Sequence, residues 1–100
     1  MSSRMELIIL SPTGGARRIP CGAVNLTAMD NEAGEGGGSV GIRPGHMEAL
    51  IALEPGSFVT AVRPGEEPVD LKLPGGFAHV KNNAVTVLLT AEEENNGTDI

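Results

Sequence analysis

His46 and His79 are the only imidazoles in this chain and Cys21 is its only thiol, so metal or nucleophile chemistry has few places to reside. A metal site needs His, Cys or carboxylate ligands at close, regular spacing, and neither histidine has a carboxylate or cysteine at ligand spacing. A nucleophile relay needs Ser or Cys beside a base and an orienting acid, and no local run supplies one. A small hydrolase centred on His46 therefore has no local support. His46, directly after Pro44-Gly45, is expected to hydrogen-bond a loop or meet a partner, and His79 to sit on a strand with its ring at the surface. The stretch Gly34 to Gly41 has the glycine density of a nucleotide loop in Gly36-Gly37-Gly38-Ser39. A phosphate cradle also draws on a following lysine and on a strand-loop-helix setting. Both are missing, so a flexible loop is expected. The lone Cys21 cannot form an internal disulfide, which fits a reducing compartment, and it reads as a small half-buried residue rather than a reactive thiol. Arg43 flanks a turn, where a cation can serve as an interface contact. Arg17-Arg18 reads as a solubility pair, and Glu66-Glu67 and Glu92 to Glu94 read as a solvated turn and tail.

What must hold these residues in place is punctuated by four Pro-Gly pairs, Pro44-Gly45, Pro55-Gly56, Pro64-Gly65 and Pro74-Gly75. Proline presets φ at the second position of a turn and glycine accepts the positive φ that a type II turn needs next. The runs between them are about seven to nine residues long, the length of strands. The expected fold is all-β, an antiparallel β-sandwich of about eight to ten short strands with no substantial helix. Strands are expected over Glu6 to Leu10, Arg17 to Ile19, Ala23 to Ala28, Ser39 to Ile42, Ala49 to Leu53, Ser57 to Arg63, Pro68 to Leu73, Gly76 to Lys81 and Ala84 to Thr90. In Ala23 to Ala28 the apolar Val24, Leu26 and Ala28 alternate with Asn25 and Thr27, and in Pro68 to Leu73 Val69, Leu71 and Leu73 face away from Asp70 and Lys72. Met47, Leu50 and Ile51 have helical spacing, but Pro-Gly on both sides favours a turn and then a strand. Lys81-Asn82-Asn83 supplies a tight turn, because asparagine tolerates left-handed angles, and short links of this kind imply antiparallel hairpins. Met29 to Gly38, rich in Gly, Asp, Asn and Glu, is expected to be a mobile surface loop. Residues 1–4 are expected to be a disordered leader, 5–91 a single sandwich domain, and 92–100 a disordered acidic tail.

Composition narrows the function classes. One hundred residues with 7 Lys+Arg and 13 Asp+Glu carry a formal charge of −6, the wrong sign for a phosphate backbone, so nucleic acid is not an expected partner. There is no Trp or Tyr and only Phe58 and Phe77, so stacking platforms are lacking and the core must be aliphatic. The longest apolar run, Ala49 to Leu53, is far short of the roughly 20 residues that span a bilayer. Any membrane contact is expected to come through a partner. Metal, cofactor and catalytic residues are expected to be none.

The segment Gly38-Ser39-Val40-Gly41-Ile42-Arg43-Pro44-Gly45-His46, followed after Met47 to Glu54 by Pro55-Gly56, resembles the signature of the epsilon subunit of F-type ATP synthase. Gly75-Gly76-Phe77-Ala78-His79-Val80 and Asn83-Ala84-Val85-Thr86-Val87-Leu88 are similar to two later motifs of that family, and Ser11-Pro12 and Cys21-Gly22-Ala23-Val24 fit its first strands more loosely. The resemblance runs from Met5 to about Ala91. It implies a non-catalytic rotor part, not an enzyme by itself, clamped to the gamma subunit, resting on the polar loops of the membrane ring of c subunits and transmitting torque in a proton- or sodium-translocating enzyme. It implies a peripheral position at the cytoplasmic face of the cell membrane, or the equivalent face of an organelle, with the isolated chain a monomer. The ring-facing edge maps onto Ser39, Val40, Gly41, Ile42, Arg43, Pro44, Gly45 and His46.

Three departures from the family pattern accompany this resemblance. Ser39 stands where an acidic residue is common, which implies that a charge contact is either lost or supplied instead by Glu32 or Glu35 of the enlarged loop. Glu48 and Ala49 replace the usual Pro and Leu. The family commonly continues into two helices that can restrain hydrolysis and in some members bind ATP; ten residues follow Thr90 here, so for a subunit complete at Ile100 neither a helical brake nor a nucleotide site is expected. A free-standing sandwich that binds a small ligand or an unrelated protein is the alternative, because a fold does not fix a function.

Overall fold

The computed structural model describes residues 4–29 and 37–91. Among them are nine strands and no helix: β1 (Met5–Leu10), β2 (Ala16–Cys21), β3 (Ala23–Ala28), β4 (Gly38–Ile42), β5 (Ala49–Leu53), β6 (Phe58–Val62), β7 (Val69–Lys72), β8 (Gly76–Lys81) and β9 (Ala84–Leu89). The all-β expectation and each expected strand are found, with ends shifted by a residue or two. The helical spacing of Met47, Leu50 and Ile51 indeed yields a strand. Residues 1–3, 92–100 and most of the Met29 to Gly38 loop lie outside the described residues.

Hydrogen bonding runs in the order β2-β1-β9-β8-β5-β3-β6-β7, with β4 on the other side of β3. Strand β3 is the fold's corner. Its first half pairs with β6 from Ala23↔Val62 to Asn25↔Thr60, while its last residue pairs with β5 through Ala28↔Leu53 alone. The chain thus forms a five-stranded layer β2-β1-β9-β8-β5 and a four-stranded layer β4-β3-β6-β7, hinged where β5 and β6 diverge along one side of β3.

Period-two burial places the core between the layers. Leu7, Ile9, Ala78, Val80, Val85 and Val87 from one layer and Val24, Leu26, Ile42, Val59, Ala61 and Leu71 from the other are buried in one apolar cluster. No polar or charged residue is buried among the described residues. Both phenylalanines are exposed, so the core is aliphatic, as the composition requires. Val and Ile suit this construction because their branched carbons pack well on a pleated, half-buried surface.

One pairing departs from the antiparallel expectation. β1 lies parallel to β9, from Glu6↔Ala84 to Leu10↔Leu88, while every other pair is antiparallel. Turn logic reports only on strands adjacent in sequence. This contact joins the two ends of the domain, and what drives it is burial of Leu7 and Ile9 beside Val85 and Val87. The Pro-Gly pairs also differ in use. Gly45, Gly56 and Gly65 have φ of 86°, 77° and 73°, as type II turns require. Pro55-Gly56 nevertheless joins β5 to β6, which belong to different layers. Pro20 is accommodated because β2 is an edge strand, where a missing N–H costs no ladder bond.

Pro74-Gly75 is not a turn of that type: Gly75 and Gly76 have φ of 132° and 150°. A Cβ at Gly76 would collide with the carbonyl oxygen of Leu88 on β9, so the close approach of β8 to β9 at this rung requires glycine. At Gly56 a Cβ would meet nothing. Gly76→Ala is expected to cost about 3 kcal/mol or more through forced backbone displacement, and Gly56→Ala only about 1–2 kcal/mol for its left-handed angle. Urea unfolding midpoints of the two variants check this difference.

Candidate docking site

The stretch from Ser39 to His46 occupies one border of the molecule and continues around one end. β4 runs antiparallel to β3, from Gly38↔Ala28 to Ile42↔Val24, and delivers the chain into the Pro44-Gly45 turn. Ser39, Gly41, Arg43 and Gly45 are exposed, Val40, Pro44 and His46 half-buried, and Ile42 fully buried. The Ile42 side chain therefore belongs to the core and can add only backbone to a contact surface. Glu32 and Glu35 lie outside the described residues.

The turn is held at several points. The His46 N–H donates to the Arg43 carbonyl at 3.1 Å, closing the four-residue turn that Pro44 presets. The His46 ring nitrogen Nδ1 lies 2.7 Å from the Met47 carbonyl oxygen. A carbonyl only accepts, so Nδ1 carries the proton and Nε2 is the nitrogen that can accept in the neutral ring. The Gly45 N–H donates to Oδ1 of Asn83 at 2.8 Å, linking the turn to the β8-β9 hairpin. Asn82 and Asn83 there have φ of 54° and 64°, the left-handed pair expected of Lys81-Asn82-Asn83.

Strand register orders the outer face of the five-stranded layer into rungs. Farthest from the Pro44 turn, Ala52, Phe77, Leu88 and Leu10 align across four strands. Next come Leu50, His79, Thr86 and Ile8. Nearest the turn are Lys81, Ala84 and Glu6, with Glu48 just before β5. Leu50, Phe77 and Leu88 are 69%, 46% and 47% exposed, so an apolar patch at one end of this face grades into charge at the other. Sequence patterning shows that these residues face away from the core but not that they align.

His79 is on a strand with its ring partly exposed, as expected, yet it has a carboxylate partner. Its Nε2 is 2.9 Å from Oε2 of Glu48. Sequence spacing shows no carboxylate beside His79; register supplies one by bringing together residues 31 apart in sequence. The hydrogen bond from His79, and then the charge of Lys81, hold the Glu48 carboxyl below its ordinary range. Arg18 and Glu66, read as solubility or solvated residues, also have partners. Arg18 pairs with Glu6 at 3.2 Å across β2 and β1, and Glu66 pairs with Arg63 at 2.9 Å within its turn. Exposed pairs of this kind are worth about 0–1 kcal/mol, so they tune the surface rather than hold the fold.

Cys21 is fully rather than half buried. Desolvation raises its pKa, with the backbone hydrogen bonds to Ala23 and Leu7 opposing this, so it is a protonated core thiol. Among the described residues no group of three or more His, Cys, Asp or Glu is placed to hold a metal. The second half of the glycine-rich stretch forms β4, with no following helix to cradle phosphate.

These features define a β-sandwich with a pinned border loop and an exposed apolar patch at one end of its outer face. The family described as ATP synthase, Delta/Epsilon chain, beta-sandwich domain matches residues 5–95, and the chain belongs to that family. It is 47% identical over 62 residues to the ATP synthase epsilon chain of Cyanothece sp., covering 62% of this chain and 44% of the relative. It is 31% identical over 88 residues to the epsilon chain of Paracoccus denitrificans, covering 88% and 54%. The chain thus spans about half the length of these relatives. A subunit in the structure of the Euglena gracilis mitochondrial ATP synthase, OSCP/F1/c-ring in rotational state 1, shares the fold with a TM-score of 0.67 at 22% identity, covering 89% of this chain and 52% of that one.

The Glu48–His79 contact has a definite pH signature. A depressed carboxylate pKa contributes stability that is present above the ordinary glutamate range and lost as pH falls through the lowered midpoint. His79→Gln is expected to move the Glu48 titration midpoint upward. The stability difference between the parent and His79→Gln is expected to shrink as the pH falls below the glutamate range. Carboxyl NMR titration and urea unfolding at several pH values measure the two effects.

Proposed function

We propose that this chain is a non-catalytic central-stalk subunit of an F-type ATP synthase, linking the gamma subunit to the c ring and transmitting torque. The observation that carries this reading is the family match across the whole sandwich, from residue 5 to 95. The build of the molecule agrees with it. A torque-bearing part needs stiffness, and two layers with a single aliphatic core and no buried polar residue among those described supply it. It also needs two contact surfaces, and the Ser39 to His46 border and the Leu50, Phe77 and Leu88 patch are distinct.

On this reading, Ser39, Val40, Gly41, Arg43, Pro44, Gly45 and His46 meet the polar loops of the ring, with Ile42 anchoring them to the core. The preset turn reduces the ordering entropy lost on docking. The apolar patch serves the gamma subunit, since a clustered apolar surface on an otherwise acidic chain marks a protein contact. The subunit then sits peripherally at the cytoplasmic face of the membrane, or the equivalent face of an organelle, held there by its partners.

Two experiments test the two surfaces. In a rotor assembled with gamma and the ring, cysteines replacing Ser39 or His46 are expected to crosslink to the ring loops. One replacing Thr13, in the β1-β2 turn that follows Leu10 on the rung farthest from the Pro44-Gly45 turn, is not; crosslinks from Thr13 alone would sink the mapping. The double variant Phe77→Ser, Leu88→Ser is expected to stay folded, because both side chains are exposed, and to lower gamma affinity about tenfold or more. Unchanged co-purification with gamma in a titration would reject the patch as its contact.

A further inference from the structure

We propose that Asn83 is a positioning residue for docking. Its side chain clamps the Pro44-Gly45 turn to the β8-β9 turn, so that the two present one rigid ledge to the ring. This rests on the docking role assigned above to the Ser39 to His46 border.

The residue type at position 83 motivates the inference. Asn82 and Asn83 both have positive φ, as the two central residues of a tight hairpin turn require, and glycine is the favoured choice at the second of these. For backbone geometry alone an asparagine there is second best. Its side chain, however, accepts the Gly45 N–H at 2.8 Å, across 38 residues of sequence. Meanwhile its own carbonyl oxygen accepts the Glu6 N–H at 3.1 Å. One residue therefore ties together the start of β1, the β8-β9 turn and the candidate docking turn.

The recipient amide is equally informative. The hydrogen bond that closes the Pro44-Gly45 turn runs from the His46 N–H to the Arg43 carbonyl. In that geometry the amide at the glycine position points away from the turn's own acceptor. The Asn83 amide oxygen fills that need and fixes how the turn is tilted against the sheet. Neighbouring rungs place Lys81 and Glu48 close by, so the ledge joins a neutral, preset turn to a charged border of the outer face.

Two variants of the full chain separate the side chain from the backbone angle. Asn83→Gly keeps the positive φ and removes the acceptor; Asn83→Asp keeps an acceptor. Asn83→Gly is expected to leave the melting temperature unchanged or higher, while the Gly45 amide exchanges with solvent about tenfold faster. Capture by a ring-gamma complex lacking this subunit is expected to weaken several-fold. Asn83→Asp is expected to retain Gly45 protection and capture. Unchanged Gly45 exchange in Asn83→Gly would overturn the clamp, and faster exchange with undiminished capture would overturn its role in docking. If the parent chain itself is not captured, the docking reading fails and this inference with it, an outcome distinguished from the others by the parent measurement alone.

Discussion

Everything at the candidate docking end depends on the placement of β9 between β1 and β8. β9 is parallel to the first strand of the domain and antiparallel to its hairpin partner, and its inward residues Val85 and Val87 are fully buried. Burying a Val or Leu side chain of this kind is worth about 1.5–3 kcal/mol, so the inward residues of the three central strands dominate the cohesion of the five-stranded layer. With β9 seated, the Asn82-Asn83 turn lies beside the Pro44-Gly45 turn. The outer-face residues Leu88, Phe77 and Ala52 then fall on one rung. Removing that pairing would separate the two halves of the chain and dissolve both surfaces together.

The division of labour between turns follows from the same geometry. Pro64-Gly65 closes an ordinary hairpin between β6 and β7, whereas Pro55-Gly56 carries the chain from one layer to the other. Pro74-Gly75 leads into a glycine that lets β8 approach β9 more closely than any side chain would permit. Among the described residues, Pro44-Gly45 is the one pair linked by a side chain from a distant element. A preset turn with an external clamp suits a contact that must bear load, because little conformational freedom remains to be lost when the partner arrives.

Much of this was legible in the residues. Pro-Gly spacing and the alternation in Val24, Leu26 and Ala28 or in Val69, Leu71 and Leu73 located the strands, and two exposed phenylalanines agree with a core expected to be aliphatic. What was not legible depends on register between distant segments. The β1-β9 pairing, the Glu48–His79 contact and the Asn83–Gly45 bond each join residues separated by tens of positions, and no local pattern encodes which rung meets which. The Glu48 contact is instructive because in the sequence Glu48 is distinguished only by standing where a proline is usual. Its partner follows from register: Ala49 faces Val80, which sets Glu48 beside the strand that carries His79. Full burial of Cys21 is not legible in the residues, because composition cannot distinguish an edge strand's inward face from its outward one.

The central claim is one of orientation: the end of the sandwich bearing Arg43, Pro44, Gly45 and His46 faces the ring. A cryo-electron microscopy structure of the assembled rotor containing this chain measures it directly. The account predicts these residues within contact distance of the polar ring loops, with the Ser11 to Gly15 turn at the far end. A rotor in which the Ser11 to Gly15 turn meets the ring, with the Pro44-Gly45 turn exposed to solvent, would contradict it.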